Sequence, residues 1–292
     1  MSIESIPCIE GPGTRGDVRA RTADPLTSDP LTARVRAIWS GADFLPIARS
    51  FAPGAAEFIE RLALRPGEQV LDAACGTGNL AIPAASAGAR VSGLDIAPNL
   101  IAEACEEARA SGYDIDFEIG DVEAMPYGDG EFDTTVTMFG AMFAPHPERA
   151  AAELLRVTRK GGRVVMANWT PDGFIGQMLR AHTAVVPPPV GVPSPLLWGD
   201  EKTVRARFGA GAREISCVRR TLHFHFQVPP AQVVEQFATY YGPTVATLKA
   251  AGPAGGQQLR EALTRLWQEN NHATGDLTMV PAEYLEVRVL VA

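Results

Sequence analysis

Long apolar runs, paired cysteines and an excess of positive charge are what this 292-residue sequence lacks. No stretch of ~18 consecutive apolar residues occurs, which excludes a spanning helix by length. The first residues, MSIESIPCIEGPGTRGDVRARTADP, lack the basic-then-apolar pattern of a signal peptide. A cytoplasmic protein with no membrane span is therefore expected. Only four cysteines are present, Cys8, Cys75, Cys105 and Cys217, and none forms a C-x-x-C pair. Neither a disulfide framework nor a zinc ribbon is indicated, so reduced thiols and no metal are expected. Lysine and arginine number 26 against 34 aspartates and glutamates, for a net charge of −8. Tight nucleic-acid binding needs clustered Lys and Arg to displace counterions, and no such cluster is found. What the chain has is 46% hydrophobic residues, enough for a core that needs no covalent staple.

Residues 1–30 are rich in Gly, Pro, Ser, Thr and Arg without apolar periodicity and read as a flexible arm. Residues 31–292 read as one domain. Within it, 31–66 carries apolar residues at helical spacing, broken by Gly41, Pro46 and Pro53-Gly54, and reads as N-terminal cap helices. Residues 67–170 alternate strand and helix signals with short turns, the pattern of a parallel sheet flanked by helices. Strands are expected at 69–74, 90–95, 115–120, 133–138 and 163–168. Segments 171–212 and 228–280 read as substrate-cap segments, with helices at 174–182, 200–208, 230–248 and 257–270. Residues 213–227 and 282–292 read as closing strands. Two closing strands complete a seven-stranded sheet.

In an open α/β sheet, ligands bind outside the carboxyl ends of the strands. The first such turn is Asp72-Ala73-Ala74-Cys75-Gly76-Thr77-Gly78-Asn79, whose glycines let backbone approach a ligand closely. Taken alone, Gly76-x-Gly78-x-x-Ala81 also satisfies a dinucleotide fingerprint. Charge separates the two readings. Asp72, Asp95 and Asp121 fall at or just past the ends of the first three strands, where they would repel a pyrophosphate. They suit S-adenosylmethionine, which carries an ammonium and a sulfonium and has no phosphate.

The segments V-L-D-A-A-C-G-T-G-N at 70–79, G-L-D-I-A-P-N at 93–99, G-D-V-E-A-M-P-Y at 120–127, E-F-D at 131–133 and L-L-R-V-T-R-K-G-G at 154–162 follow in order. In these blocks the sequence resembles class I S-adenosylmethionine-dependent methyltransferases, in particular the ubiquinone/menaquinone C-methyltransferase-like (methyltransferase type 11) group. The resemblance implies a Rossmann-like, doubly wound α/β fold, a mostly parallel sheet with the last strand antiparallel, and helical cap insertions. It implies a cofactor set of Asp72, Ala74, Gly76, Gly78, Asn79, Asp95, Ile96, Asp121, Val122, Glu123, Met138 and Phe139. In that set Asp72 helps orient the glycine loop and the methionine ammonium. Asp95 accepts the ribose hydroxyls and Asp121 the adenine amine, the backbone N–H of Val122 faces N1, and Ile96 and Val122 sandwich the ring. The product is S-adenosyl-L-homocysteine.

Methyl transfer from a sulfonium is an in-line displacement that gains rate from orientation and water exclusion. A base is needed only when the nucleophile carries a proton. The turn after the fourth strand, 138–146, lacks the N/D-P-P-Y/F sequence of adenine and glutamine N-methyltransferases and the acidic ligands of catechol-type enzymes. Its apolar residues point to a small lipophilic or aromatic acceptor. The acceptor-site candidates are Trp39, Phe44, Met142, Phe143, Trp169 and Phe174, and the general-base candidates are His146 and Tyr241, each with a packing role as its alternative. His223 and His225 share one face of a strand and read as a solvated edge. Two other functions fit parts of the sequence: a non-catalytic S-adenosylmethionine-binding module, and an NAD-dependent oxidoreductase. A monomer or homodimer is expected.

Overall fold

The computed structural model describes residues 29–209 and 211–292; most of the expected N-terminal arm and Cys8 lie outside the described residues. Helix α1 (Pro30–Trp39) begins where Asp29 caps it, its Oδ1 accepting from Leu31 N–H at 3.0 Å, with Pro30 in the first turn. Short helices α2 (Leu45–Arg49) and α3 (Ala52–Glu60) follow. The central zone then alternates β1 (Gln69–Ala73), α4 (Ala81–Ser86), β2 (Arg90–Asp95), α5 (Pro98–Ala110), β3 (Asp116–Ile119), β4 (Phe132–Met138), α6 (Pro147–Val157) and β5 (Thr158–Trp169). The remainder supplies α7 (Phe174–Val185), α8 (Glu201–Phe208), β6 (Ala212–Phe226), α9 (Pro230–Tyr240), α10 (Gly242–Glu269) and β7 (Thr278–Val291).

The sheet has seven strands in the order β3-β2-β1-β4-β5-β7-β6. Strands β1 to β5 pair in parallel, and β7 runs antiparallel between β5 and β6. Because helices cover both faces, the inner strands are apolar almost throughout: Val70, Leu71 and Ala73 in β1 are fully buried. The long strand β6 instead alternates over its second half, with Leu222, Phe224 and Phe226 buried and His223 and His225 exposed. Chain order reverses at β1, whose neighbours are β2 and β4, and this places the crevice at the carboxyl ends of those strands.

Three elements depart from the sequence reading. Strand β5 begins at Thr158, not Arg163, because the chain stays extended through a register shift opposite Phe132 and Thr134. Gly162 permits this: a Cβ there would meet the Asp133 and Arg159 carbonyls. The helix expected over 230–248 breaks at Tyr241 (φ −101°, ψ 106°), the N-cap of a new helix whose first turn holds Pro243, where the missing N–H costs no helical hydrogen bond. The next helix kinks at Gly252 (φ 65°), where Pro253 follows. Among the described cysteines, Cys75 and Cys217 carry free thiols.

The helices outside the sheet's parallel half form one cap. Helix α10 packs on α9, α7 and α1, and α2 packs on α9. The buried His182 ties α7 to α10 through Nε2 and Thr244 Oγ1 at 2.8 Å. Under this cap, Trp267 of α10 is completely buried, with its ring 4.6 Å from Phe174, 5.2 Å from Phe237 and 5.7 Å from Phe226.

Candidate active site

Residue φ angles show why the turn after β1 needs this sequence. Gly76 (φ 54°) and Gly78 (φ 85°) are left-handed, and so is Ala74 (φ 58°), where a side chain makes that conformation costly. Asp95, at the end of β2, holds the turn. Its Oδ2 accepts from Gly76 N–H at 2.9 Å, and its Oδ1 accepts from Ala97 N–H at 2.9 Å. Asp72 Oδ2 accepts from Ala81 N–H at 3.0 Å, in the first turn of α4. Both carboxyls are buried, and burial pushes both up. The Asp72 carboxyl is raised to about 8, against the hydrogen bond from Ala81, with the Asp95 charge adding to the rise. Asp121 accepts from Glu123 N–H at 2.9 Å and is likewise pushed up by burial.

The turn after β4 packs against the turn after β1. Phe139 is left-handed (φ 59°), held by Phe139 N–H donating to Ala167 O at 2.9 Å and by stacking on Trp169, ring to ring at 3.5 Å. The next residue, Gly140, has an ordinary φ of −97°, but a Cβ there would meet the Ala74 carbonyl and side chain. Space alone requires the glycine. Gly140→Ala is expected to cost about 1–3 kcal/mol, the usual range for overpacking, and to weaken ligand binding with it. Urea denaturation alongside a binding titration checks both; an unchanged midpoint and affinity would show that the two turns do not depend on each other.

These turns enclose a cleft of about 930 Å³, open to solvent. It brings together Asp72, Ala74, Gly76, Asn79, Asp95, Ile96, Asp121, Val122, Met138 and Phe139 of the expected cofactor set. Two members stand outside the lining. Gly78 lies against Ile82 and Phe117, and Glu123 turns to His146, with Oε2 2.7 Å from Nδ1. Among the described lining residues there is no lysine or arginine. The buried Thr77 hydroxyl, also in the lining, has no hydrogen-bond partner. Acceptor carboxylates, an orphaned hydroxyl and no cation fit a phosphate-free, cationic nucleoside ligand such as S-adenosylmethionine better than a dinucleotide.

The N-terminal helices, read from the sequence as a cap, roof this cleft. Thr32, Val35 and Trp39 of α1 line it, as do Ala48 and Phe51. Asn79 Nδ2 donates to Ala48 O at 2.9 Å, and Asn99 Nδ2 donates to Ala42 O at 3.1 Å, stitching the roof to the sheet's turns. His146 is a third stitch. Its Nε2 lies 3.3 Å from Asp29 Oδ2, the cap of α1, while Nδ1 faces Glu123. These three side chains converge within 4.8 Å. With each ring nitrogen facing a different carboxylate, they form a latch on α1, and His146 lines neither cavity.

Behind Phe139 and Phe143 lies a second, smaller apolar chamber. Trp39, Phe44, Phe51, Phe139 and Phe143 border both spaces and form the partition between them. Trp169, Phe224, Phe237 and Tyr241 line its far side. Of the acceptor-site candidates, Trp39, Phe44, Phe143 and Trp169 therefore meet here. Met142 is buried away from both spaces, and Phe174 packs on Trp267 instead. Tyr241 comes from the break between α9 and α10 and faces the rings of Trp39 at 5.8 Å and Phe237 at 5.3 Å.

A methyltransferase-domain family matches residues 70–162, the segment that carries the glycine turn and all three aspartates. An uncharacterized protein of Mycobacterium tuberculosis is 36% identical over 212 residues, 72% of this chain and 77% of that protein. The demethylmenaquinone methyltransferase of Renibacterium salmoninarum is 36% identical over 116 residues, 40% of this chain and 47% of that enzyme. The chain belongs to the class I S-adenosylmethionine-dependent methyltransferases. A Bacillus halodurans crystal structure provisionally named a methyltransferase matches this methyltransferase with a TM-score of 0.53 at 17% identity, covering 80% of this chain and 97% of that one. That likeness speaks for the fold. With the family established, the NAD-dependent oxidoreductase reading falls away. No described helix of the methyltransferase is long and apolar enough to cross a membrane.

Proposed function

We propose that this methyltransferase transfers the methyl group of S-adenosylmethionine to a small, lipophilic or aromatic organic acceptor by in-line displacement, in the cytoplasm and without a metal or nucleic-acid partner. The observation that carries the reading is the junction of two unlike spaces: a cleft lined by carboxylates and, among its described residues, by no lysine or arginine, joined across Phe139 and Phe143 to an aromatic chamber. In this reading Asp95 accepts the ribose hydroxyls with its remaining lone pairs, Asp121 accepts the adenine amine, and Ile96 and Val122 bracket the ring. Asp72 serves the methionine ammonium. The cofactor supplies an electrophilic methyl on a sulfonium; the chain orients both partners and excludes water. Titration calorimetry with S-adenosylmethionine and S-adenosylhomocysteine, followed by transfer of labelled methyl to an acceptor panel, tests it. Absence of binding by either nucleoside would overturn the assignment. Tight binding without transfer to any acceptor would favour the non-catalytic module.

Asp72 gives the reading a pH signature. Its folded-state pKa, raised by burial from 3.8 to about 8, leaves the carboxyl largely neutral at pH 7 in the free protein. A group raised in this way favours the fold fully below its unfolded value, and that contribution is lost as pH rises through the folded value. Pairing with an ammonium requires the ionised form, so binding releases a proton. S-adenosylmethionine affinity is then expected to rise by up to about tenfold per pH unit below pH 7. It turns over once the ligand's own α-amino group deprotonates, at about 7.7–8.0. Calorimetry across that range in buffers of different ionisation enthalpy measures both slope and proton release, and Asp72→Asn should flatten the slope. A flat profile in the unaltered protein would remove Asp72 from this role.

A further inference from the structure

The outer edge of the sheet carries a group of side chains that methyl transfer does not use. His223 and His225 alternate along β6 with Phe224 and Phe226; both phenylalanines are buried and both histidines exposed. Phe224 lines the aromatic chamber, so the histidines leave the strand on the face away from it. The buried phenylalanines fix the strand and, with it, the spacing of the two imidazoles, whose ring centroids lie 6.0 Å apart at an interplanar angle of 43°. Metal–imidazole bonds are about 2.0–2.1 Å long. Rotation about the side-chain bonds turns one nitrogen of each ring onto a single ion between them.

A third donor comes from β7. Met279, half-buried, stands directly opposite His225, and Pro281 stands opposite His223. The backbone of Met279 points away from β6: its N–H donates to Asn271 Oδ1 at 2.8 Å, and its carbonyl accepts from His272 N–H at 2.9 Å. On the facing strand, His225 N–H turns outward and donates to Ser50 O at 3.1 Å. His225 and Met279 are therefore a non-hydrogen-bonded pair, the kind whose side chains approach most closely. Glu283, the carboxylate that follows along this face of β7, is engaged by Arg219 Nη1 at 2.6 Å and Thr170 Oγ1 at 2.9 Å. Two imidazoles and a thioether form a soft ligand set. Imidazole suits zinc and copper alike, whereas a thioether selects Cu(I).

We infer that His223, His225 and Met279 bind one Cu(I) ion at the edge of the sheet, through two imidazole nitrogens and the thioether sulfur. The ion takes no part in methyl transfer, and the site neither supports nor depends on that reading. Binding bridges the ends of β6 and β7 through side chains as well as backbone. It favours the folded chain, because the unfolded one lacks the preformed ligand set.

The test uses the full chain, its accessible thiols blocked with N-ethylmaleimide so that cysteines do not compete for the metal. Cu(I) is titrated anaerobically against a chromogenic chelator, and Zn(II) separately by calorimetry. One Cu(I) per chain is expected, bound about tenfold or more tightly than Zn(II), with a rise in Tm. X-ray absorption of the copper-loaded protein should show sulfur together with nitrogen around the metal. His223→Ala and His225→Ala should each weaken Cu(I) binding by about tenfold or more, the loss of one of three ligands. Met279→Leu keeps the volume and removes only the sulfur, so it should weaken Cu(I) about tenfold and leave Zn(II) affinity unchanged. None of the three side chains is fully buried, and circular dichroism should show each variant folded. A shell of nitrogen and oxygen alone, Cu(I) affinity unmoved in a histidine variant or in Met279→Leu, or Zn(II) bound as tightly as Cu(I) would each overturn the inference. S-adenosylmethionine binding is read independently, so failure of the methyltransferase reading would leave these outcomes standing.

Discussion

Asp95→Ala is expected to weaken S-adenosylmethionine binding by about 100-fold or more. In the free protein this carboxylate already holds the glycine turn, through Gly76 N–H, and the start of the next helix, through Ala97 N–H. Hydrogen bonds to a charged group contribute about 1.5–3 kcal/mol each. Alanine removes these two together with the acceptors proposed for the ribose hydroxyls. A hundredfold loss corresponds to about 2.7 kcal/mol, the worth of one such hydrogen bond to a charged group. Asp95→Asn keeps one acceptor oxygen but presents an NH₂ group to a second donor, so its loss should be smaller, on the order of tenfold. Calorimetry on both variants, with circular dichroism to confirm folding, measures the effect. Affinity within a factor of three of the unaltered protein, on a folded Asp95→Ala variant, would refute the role.

Trp267→Ala should produce the largest loss of stability, about 3–5 kcal/mol, the range for truncating a fully buried aromatic. The ring is completely enclosed, and it joins the end of α10 to Phe174 of α7, Phe237 of α9 and Phe226 of β6. Its removal opens a cavity where the inserted helices meet the sheet. Because the indole N–H has no hydrogen-bond partner, Trp267→Phe loses volume but no hydrogen bond, and should cost much less. Phe237 lines the aromatic chamber and packs against both Trp267 and Tyr241. The alanine variant should therefore lose acceptor binding before it loses cofactor binding. Urea denaturation and paired titrations check this order. A cost below about 1 kcal/mol would mean that the cap is held by something other than this contact.

The two variants divide the molecule along the line between local and long-range information. Asp72, Asp95 and Asp121 were legible because each sits where a strand ends, and the dihedrals that Gly76 and Gly78 supply belong to a few consecutive residues. The parallel sheet was legible for the same reason: alternating short apolar runs and turns leave few topologies. Glu123 belonged to the cofactor set that the resemblance implied, and it faces His146 because the turn that directs Asp121 inward sends its neighbour's neighbour the other way. His146, read as a candidate base, joins Glu123 to the cap of α1, a contact that no spacing rule contains.

The residues themselves determined the sheet, its crevice and the sign of charge around it, because strand ends, glycine dihedrals and acidic side chains act over short stretches of chain. Tertiary structure alone decided the aromatic chamber. Trp39, Phe139, Trp169 and Tyr241 come from four distant segments, and apolar burial is non-directional. Any of these rings could have packed elsewhere in the core, as Met142 and Phe174 do. Only the way the inserted helices close over β4, β5 and β6 selects the rings that enclose a space.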